Sequence, residues 1–115
     1  MSGLTSHILD LAAGRPAAAV AVRLYRREGE TASLISEHLT DADGRARLLP
    51  GDEMQVGGYR LAFEIGAYFK ASGASVSEPP FLDVVLVDFA VADVEAHHHV
   101  PLLVSPFGYS TYRGS

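Results

Sequence analysis

His97-His98-His99-Val100-Pro101-Leu102-Leu103-Val104-Ser105-Pro106-Phe107-Gly108-Tyr109-Ser110-Thr111-Tyr112-Arg113-Gly114-Ser115 holds three of the chain's five histidines and reads as a β-hairpin. Two apolar-alternating runs flank Ser105-Pro106-Phe107-Gly108, where Pro suits the second position of a turn and Gly a position that needs φ > 0. A four-residue loop places Val104 opposite Tyr109, and the register then follows by counting: Leu103 opposite Ser110, Pro101 opposite Tyr112, His99 opposite Gly114. The terminal Tyr112-Arg113-Gly114-Ser115 is thereby delivered to the imidazoles. Because side chains alternate between faces, Val100, Leu102 and Val104 form a core face, while His97, His99, Pro101 and Leu103 point the other way. That outward face, with His99, Leu103, Ser110 and Tyr112, is half apolar with an ionisable group at its edge. A partner subunit covering it would form a cleft.

Working outward, a chain of 115 residues makes one domain, 1–115, with a single core and no room for a separate cofactor domain. Hydrophobic residues make up 48%, so a core can form and disorder is excluded. Without cysteine there is neither a disulfide nor thiol chemistry, which fits a reducing compartment. The start Met1-Ser2-Gly3-Leu4-Thr5-Ser6-His7 has no basic segment followed by an apolar one, and no apolar run reaches the ~18 residues of a membrane span. A cytoplasmic location is expected, with no membrane partner. The net charge of −5 and the scattered basic residues argue against a nucleic-acid partner.

Leu4 to Leu9 alternates, with Leu4, Ser6 and Ile8 on one side and Thr5, His7 and Leu9 on the other, so His7 projects from a short strand. Asp10 to Pro16 is expected as a loop and Ala18 to Arg27 as a strand. Arg26-Arg27-Glu28-Gly29-Glu30 should turn the chain into a third strand, Ala32 to Leu39. Thr40-Asp41-Ala42-Asp43-Gly44-Arg45 is an acidic turn with Gly44 at the bend and Arg45 opening the next strand. Tyr59 to Ile65 is a strand preceded by Gly57-Gly58. Gly66 to Gly73 lacks a period of two and reads as a short helix. Phe81 to Val91 is a long strand with Leu82, Val84 and Leu86 on one face, and Ala92 to Glu95 turns into the histidine strand. Seven to eight strands and one short helix predict an all-β, antiparallel β-sandwich.

Two chemistries suit these residues. His97 and His99 share a face at i, i+2 and, with His7, supply three imidazoles of the kind that hold zinc with a position open for water. Alternatively, without a metal, an imidazole acts as general base toward water, because His titrates near neutral pH. An arginine then holds an anionic substrate and stabilises charge on a carbonyl oxygen. His7, Arg45, His99 and Tyr112 are candidates for that arrangement.

These residues carry a resemblance. Leu4-Thr5-Ser6-His7-Ile8-Leu9-Asp10, Gly14-Arg15-Pro16-Ala17, Thr40 to Arg45, Tyr59-Arg60-Leu61, Gly66-Ala67-Tyr68-Phe69 and the closing Tyr112-Arg113-Gly114-Ser115 resemble the 5-hydroxyisourate hydrolases, the enzyme branch of the transthyretin-like proteins. The resemblance covers Leu4 to Ser115, and its ending separates hydrolases from hormone-carrying transthyretins. It implies a transthyretin-like sandwich assembled as a homotetramer, a dimer of dimers, with the outward face lining a central channel. It places catalytic roles on His7, Arg45 and His99, and substrate binding on Tyr112, Arg113, Gly114, Ser115, Leu103 and Ser110, with no cofactor and no metal. The implied reaction opens the ring of 5-hydroxyisourate between N1 and C6, giving 2-oxo-4-hydroxy-4-carboxy-5-ureidoimidazoline in urate (purine) breakdown. His98 departs from the family, which more often has Tyr there; its parity is opposite to that of His99, so its effect is expected on packing. The open alternatives are a carrier that binds a small molecule without turnover and a zinc hydrolase built on His7, His97 and His99.

Overall fold

Alternation in the first strand sets the architecture: in β1 (Gly3–Asp10) Leu4, Ser6, Ile8 and Asp10 are buried while Thr5, His7 and Leu9 are half-buried on the opposite face. The computed structural model describes residues 3–114. After β1 come β2 (Arg15–Pro16), β3 (Ala21–Glu28), β4 (Thr31–Leu39), β5 (Arg45–Pro50), β6 (Gly57–Glu64), helix α1 (Ile65–Ser72), β7 (Val84–Val91), β8 (His97–Ser105) and β9 (Gly108–Thr111). The first sheet runs β2-β1-β8-β9, with β5 also paired to β1, and the second runs β4-β3-β6-β7.

The core lies between the sheets. Leu4, Ile8, Val100, Leu102 and Val104 from the first meet Val22, Leu24, Tyr59, Leu61, Phe63, Val85 and Val91 from the second. Each large side chain so buried contributes about 1.5–3 kcal/mol relative to an exposed one. Helix α1 adds Ile65 and Phe69 and ends at Gly73, whose φ of 82° is the left-handed conformation that closes helices. Asp10 is buried but fully engaged: its carboxylate accepts from the Ala12 and Ala13 N–H groups at 2.9 Å and from the Tyr68 hydroxyl at 2.8 Å. Burial, followed by that contact with Asp10, raises the Tyr68 phenol above its ordinary value.

The hairpin register expected from the last strands is found: Leu103 faces Ser110, Val104 faces Tyr109, and His99 bridges Gly114. The turn is one notch tighter than expected. Ser105 pairs with Gly108, so Pro106 and Phe107 alone form the bend, and Gly108 is an ordinary strand residue without positive φ. The expected Pro101–Tyr112 rung is absent, because Pro101 lacks the N–H that it requires. Thr111 Oγ1 donates instead to the Pro101 carbonyl at 2.7 Å, and β9 ends there.

Other expectations are corrected in detail. The sandwich is all-β, as read, but β1 and β8 run parallel, from Gly3 opposite His97 to Asp10 opposite Val104. The strands number nine among the described residues, because Arg15–Pro16, expected as loop, pairs with Leu9 and Asp10. Arg26, Arg27 and Glu28 are strand rather than turn, leaving only Gly29 and Glu30 at the bend. Their charges are accommodated within the sheet, with Arg26 lying 5.0 Å over the Tyr59 ring. Gly57 and Gly58 open β6 rather than precede it. In β7 the inward residues are Val85, Val87 and Val91, while Val84 and Leu86 are exposed.

Candidate active site

The outward face of the first sheet gathers the polar residues of three strands. Across it, β5 brings Arg47 opposite Thr5 and Arg45 opposite His7, while β8 brings His99 opposite Thr5 and His97 opposite Gly3. An open cavity of about 420 Å³ is walled by Thr5, Asp41, Arg45, Arg47, His97 and His99.

Arg45 is aimed by the acidic turn before it. The Asp41 carboxylate accepts from the N–H groups of Asp43 at 2.9 Å and Arg45 at 3.0 Å, while Asp41 N–H donates to the Arg45 carbonyl at 2.9 Å. Gly44 makes the turn possible: its φ is +76°, and a Cβ there would stand 2.5 Å from the Ile8 carbonyl oxygen. Asp41 Oδ1 and N–H are thus engaged with the backbone of the turn, and the Arg45 side chain lines the cavity. Among the described residues, neither Arg45 nor Arg47 has a carboxylate at ion-pair distance.

His99 is half-buried between β1 and the returning tail. Gly114 N–H donates to the His99 carbonyl at 2.8 Å, and a Cβ on Gly114 would lie 2.6 Å from the His99 ring, so that glycine permits the tail to pass against the imidazole. Burial first, then the fields of Arg45, His7 and His97, hold His99 below the ordinary imidazole value, so the ring is neutral at neutral pH and able to take a proton. His7 sits on the same face beside the cavity without forming its wall. Its Nε2 lies 2.9 Å from the Asp43 carbonyl, which only accepts, so Nε2 carries a proton and the lone pair of the neutral ring is on Nδ1.

The remaining expected residues divide. Arg113 donates to the His97 carbonyl at 3.3 Å, and Gly114 touches His99 as described. Tyr112, past the end of β9, lines a separate cleft with Phe89, His98 and Val100, and within one chain it does not reach the His7, Arg45 and His99 group. Leu103 and Ser110 face each other further along the outward face, next to Leu9, while Ser115 lies outside the described residues. His98 is buried, as its parity implied, and donates from Nδ1 to the Ala96 carbonyl at 2.9 Å. The three-histidine metal arrangement is not formed: among the described residues no three His, Asp or Glu side chains converge to hold an ion. Thr5, Asp41 and Arg47 were missed as site residues. Thr5 shares strand parity with His7, and Arg47 with Arg45, so alternation alone could have found both.

A family model described as "HIUase/Transthyretin family" matches residues 4–114. A 5-hydroxyisourate hydrolase of Caulobacter vibrioides is 66% identical over 115 residues, covering all of both chains. The structure of 5-hydroxyisourate hydrolase from Klebsiella pneumoniae superimposes with a TM-score of 0.82 at 36% identity, over the whole of each chain. A crystal structure of (S)-allantoin synthase gives a TM-score of 0.90 at 42% identity, covering 99% of this chain and 44% of that one, so this chain spans less than half of that protein.

Proposed function

The chain belongs to the HIUase/transthyretin family, and on that premise we propose that it hydrolyses 5-hydroxyisourate, using the outward face of the first sheet as its active site. The observation that carries this reading is a half-buried His99, held toward its neutral form, sharing a cavity with the guanidinium of Arg45, which has no ion pair among the described residues.

The reaction is an amide hydrolysis. A histidine removes a proton from water, the oxygen attacks C6, and the N1–C6 bond breaks as N1 takes up a proton; the water oxygen ends in the new carboxylate. His99 and His7 form the imidazole pair, each with one lone pair to offer. Arg45 holds the urate-like ring and stabilises the oxyanion at C6, through donors that stay charged at any working pH. This chemistry asks for water, a base and a charge partner, and for no cofactor. General-base catalysis contributes about 10²–10⁴-fold.

Substrate binding is assigned to Arg113 and Gly114 at the histidine strand and to Ser115, which lies outside the described residues, with Leu103 and Ser110 extending the surface. Tyr112 joins them from a neighbouring copy. The assembly proposed is a homotetramer, a dimer of dimers, in which a second subunit covers the half-apolar outward face. No helix among the described residues is long and apolar enough to cross a membrane, and a cytoplasmic location belongs to the same proposal.

The test is spectroscopic. Urate oxidase generates 5-hydroxyisourate in place, and its decay is followed with and without the chain. Faster decay, with oxygen from isotope-labelled water in the product carboxylate, supports the reading; decay at the uncatalysed rate, or tight binding without consumption, overturns it. Light scattering of the purified chain tests the assembly, where a monomer mass would contradict it.

A further inference from the structure

Thr5 stands between two imidazoles. Its Oγ1 lies 2.8 Å from His99 Nδ1 and 3.1 Å from His97 Nε2, and the two rings are near-parallel, with centroids 6.4 Å apart. A threonine hydroxyl owns one proton, and among the described residues Oγ1 has no third partner. When both contacts are hydrogen bonds and the hydroxyl proton sits in one of them, the other must be accepted from a ring N–H.

Two arrangements satisfy that count. In the first, His99 Nδ1–H donates to Thr5 and Thr5 donates to His97 Nε2, leaving His99 Nε2 with its lone pair. In the second, His97 Nε2–H donates to Thr5 and Thr5 donates to His99 Nδ1, so the His99 proton resides on Nε2 and the base is lost. The tautomers of the two rings are therefore tied in opposite senses through one hydroxyl.

The geometry points to Thr5 and His97 as positioning residues for His99: together they select the tautomer in which Nε2 is bare. Catalytic contact with substrate is not asked of either. His97 is exposed at the strand's start, whereas His99 is half-buried beside the cavity. The charged and titratable groups facing His99 are Arg45 from β5, His7 from β1 and His97 from β8, with Arg47 and Asp41 also on the cavity wall. The triple histidine thus has a division of labour: His98 packs, His99 is the base, and His97 sets its tautomer.

This inference rests on the proposed hydrolase reading for its kinetic arm only. The first arm is nitrogen-15 NMR of the resting protein, which reads ring tautomers without substrate. The expected result is His99 bare at Nε2 in the unaltered chain and a mixed tautomer in Thr5→Val, with Thr5→Ser restoring the original state. In the kinetic arm, Thr5→Val lowers kcat about tenfold, the bias of one hydrogen bond, with KM little changed, and Thr5→Ser recovers it. His97→Leu frees the Thr5 hydroxyl to donate to His99 Nδ1, so it also loses activity, and adding Thr5→Val to it causes no further loss. A His99 predominantly protonated at Nε2 in the unaltered chain, or a tautomer unmoved in a folded Thr5→Val, overturns the inference. Independent, multiplying losses in the double variant do so as well. Failure of the unaltered chain to consume 5-hydroxyisourate would instead overturn the function, with the NMR arm still deciding the coupling.

Discussion

The outward faces of the two sheets both carry arginines, yet their electrostatic surroundings differ. On the second sheet Arg23 pairs with Glu64 at 2.7 Å, and Asp88 takes Arg60 at 2.7 Å and Arg27 at 3.6 Å. That carboxylate, hydrogen-bonded to Arg60 before all else, is held below its ordinary range. On the first sheet the acidic neighbour of Arg45, Asp41, turns its Oδ1 to backbone N–H groups and makes no ion pair with Arg45, which lines an open cavity with His99. Neutralised charge on one face and unneutralised charge on the other, in strands of equal regularity, separate a solvated wall from a surface prepared for an anionic or carbonyl-bearing molecule.

The contrast breaks first at Arg45. Replacing it with methionine should lower kcat/KM about 10²–10³-fold, the scale of a lost oxyanion donor, while the melting temperature stays close to that of the unaltered chain. Equal loss from Arg23→Met would erase the distinction between the faces. Next in size is Gly44→Ala. Its positive φ and the close Ile8 carbonyl should cost about 1–3 kcal/mol in urea unfolding and disturb the aim of Arg45 as well. A wild-type midpoint would show the turn to be tolerant.

The pH dependence sharpens the same contrast. Since burial and then Arg45 lower the His99 value, the base form persists below about pH 6.5, and the acid limb of kcat/KM should have its midpoint under that ordinary value. The linkage sign agrees: the stability tied to neutral His99 is present above the unfolded imidazole value and is lost as pH falls through the lower folded one. Arg45→Gln removes a positive neighbour and should move the His99 titration upward, as followed by NMR. The smallest effect is Arg23→Met on the second sheet, about 0.2–1 kcal/mol of stability for a partly exposed pair, with activity unchanged.

Local signals were legible and distant ones were not. Alternation and a turn gave the His99–Gly114 bridge, because a hairpin register is arithmetic once the loop is placed. The parallel pairing of β1 with β8 joins residues over ninety positions apart, such as Thr5 and His99, and no turn announces it. Alternation puts Thr5 on the face of His7, but only that pairing sets it against His99. Tyr112 follows the end of β9, and within one chain it lines the cleft with His98 and Val100 rather than the cavity of Arg45 and His99, a placement that alternation alone does not reveal. The arginines before Gly29 looked like a turn by charge alone, yet Arg26 finds an aromatic face and the Gln55 and Val56 carbonyls at 3.4 and 2.7 Å.

His99→Ala decides most directly whether the unneutralised face is the catalytic one. Assayed on freshly generated 5-hydroxyisourate at matched concentration of assembled protein, the variant should turn over about 10²–10⁴-fold more slowly while keeping its melting temperature and mass. Turnover equal to that of the unaltered chain, in a correctly assembled variant, would contradict the account.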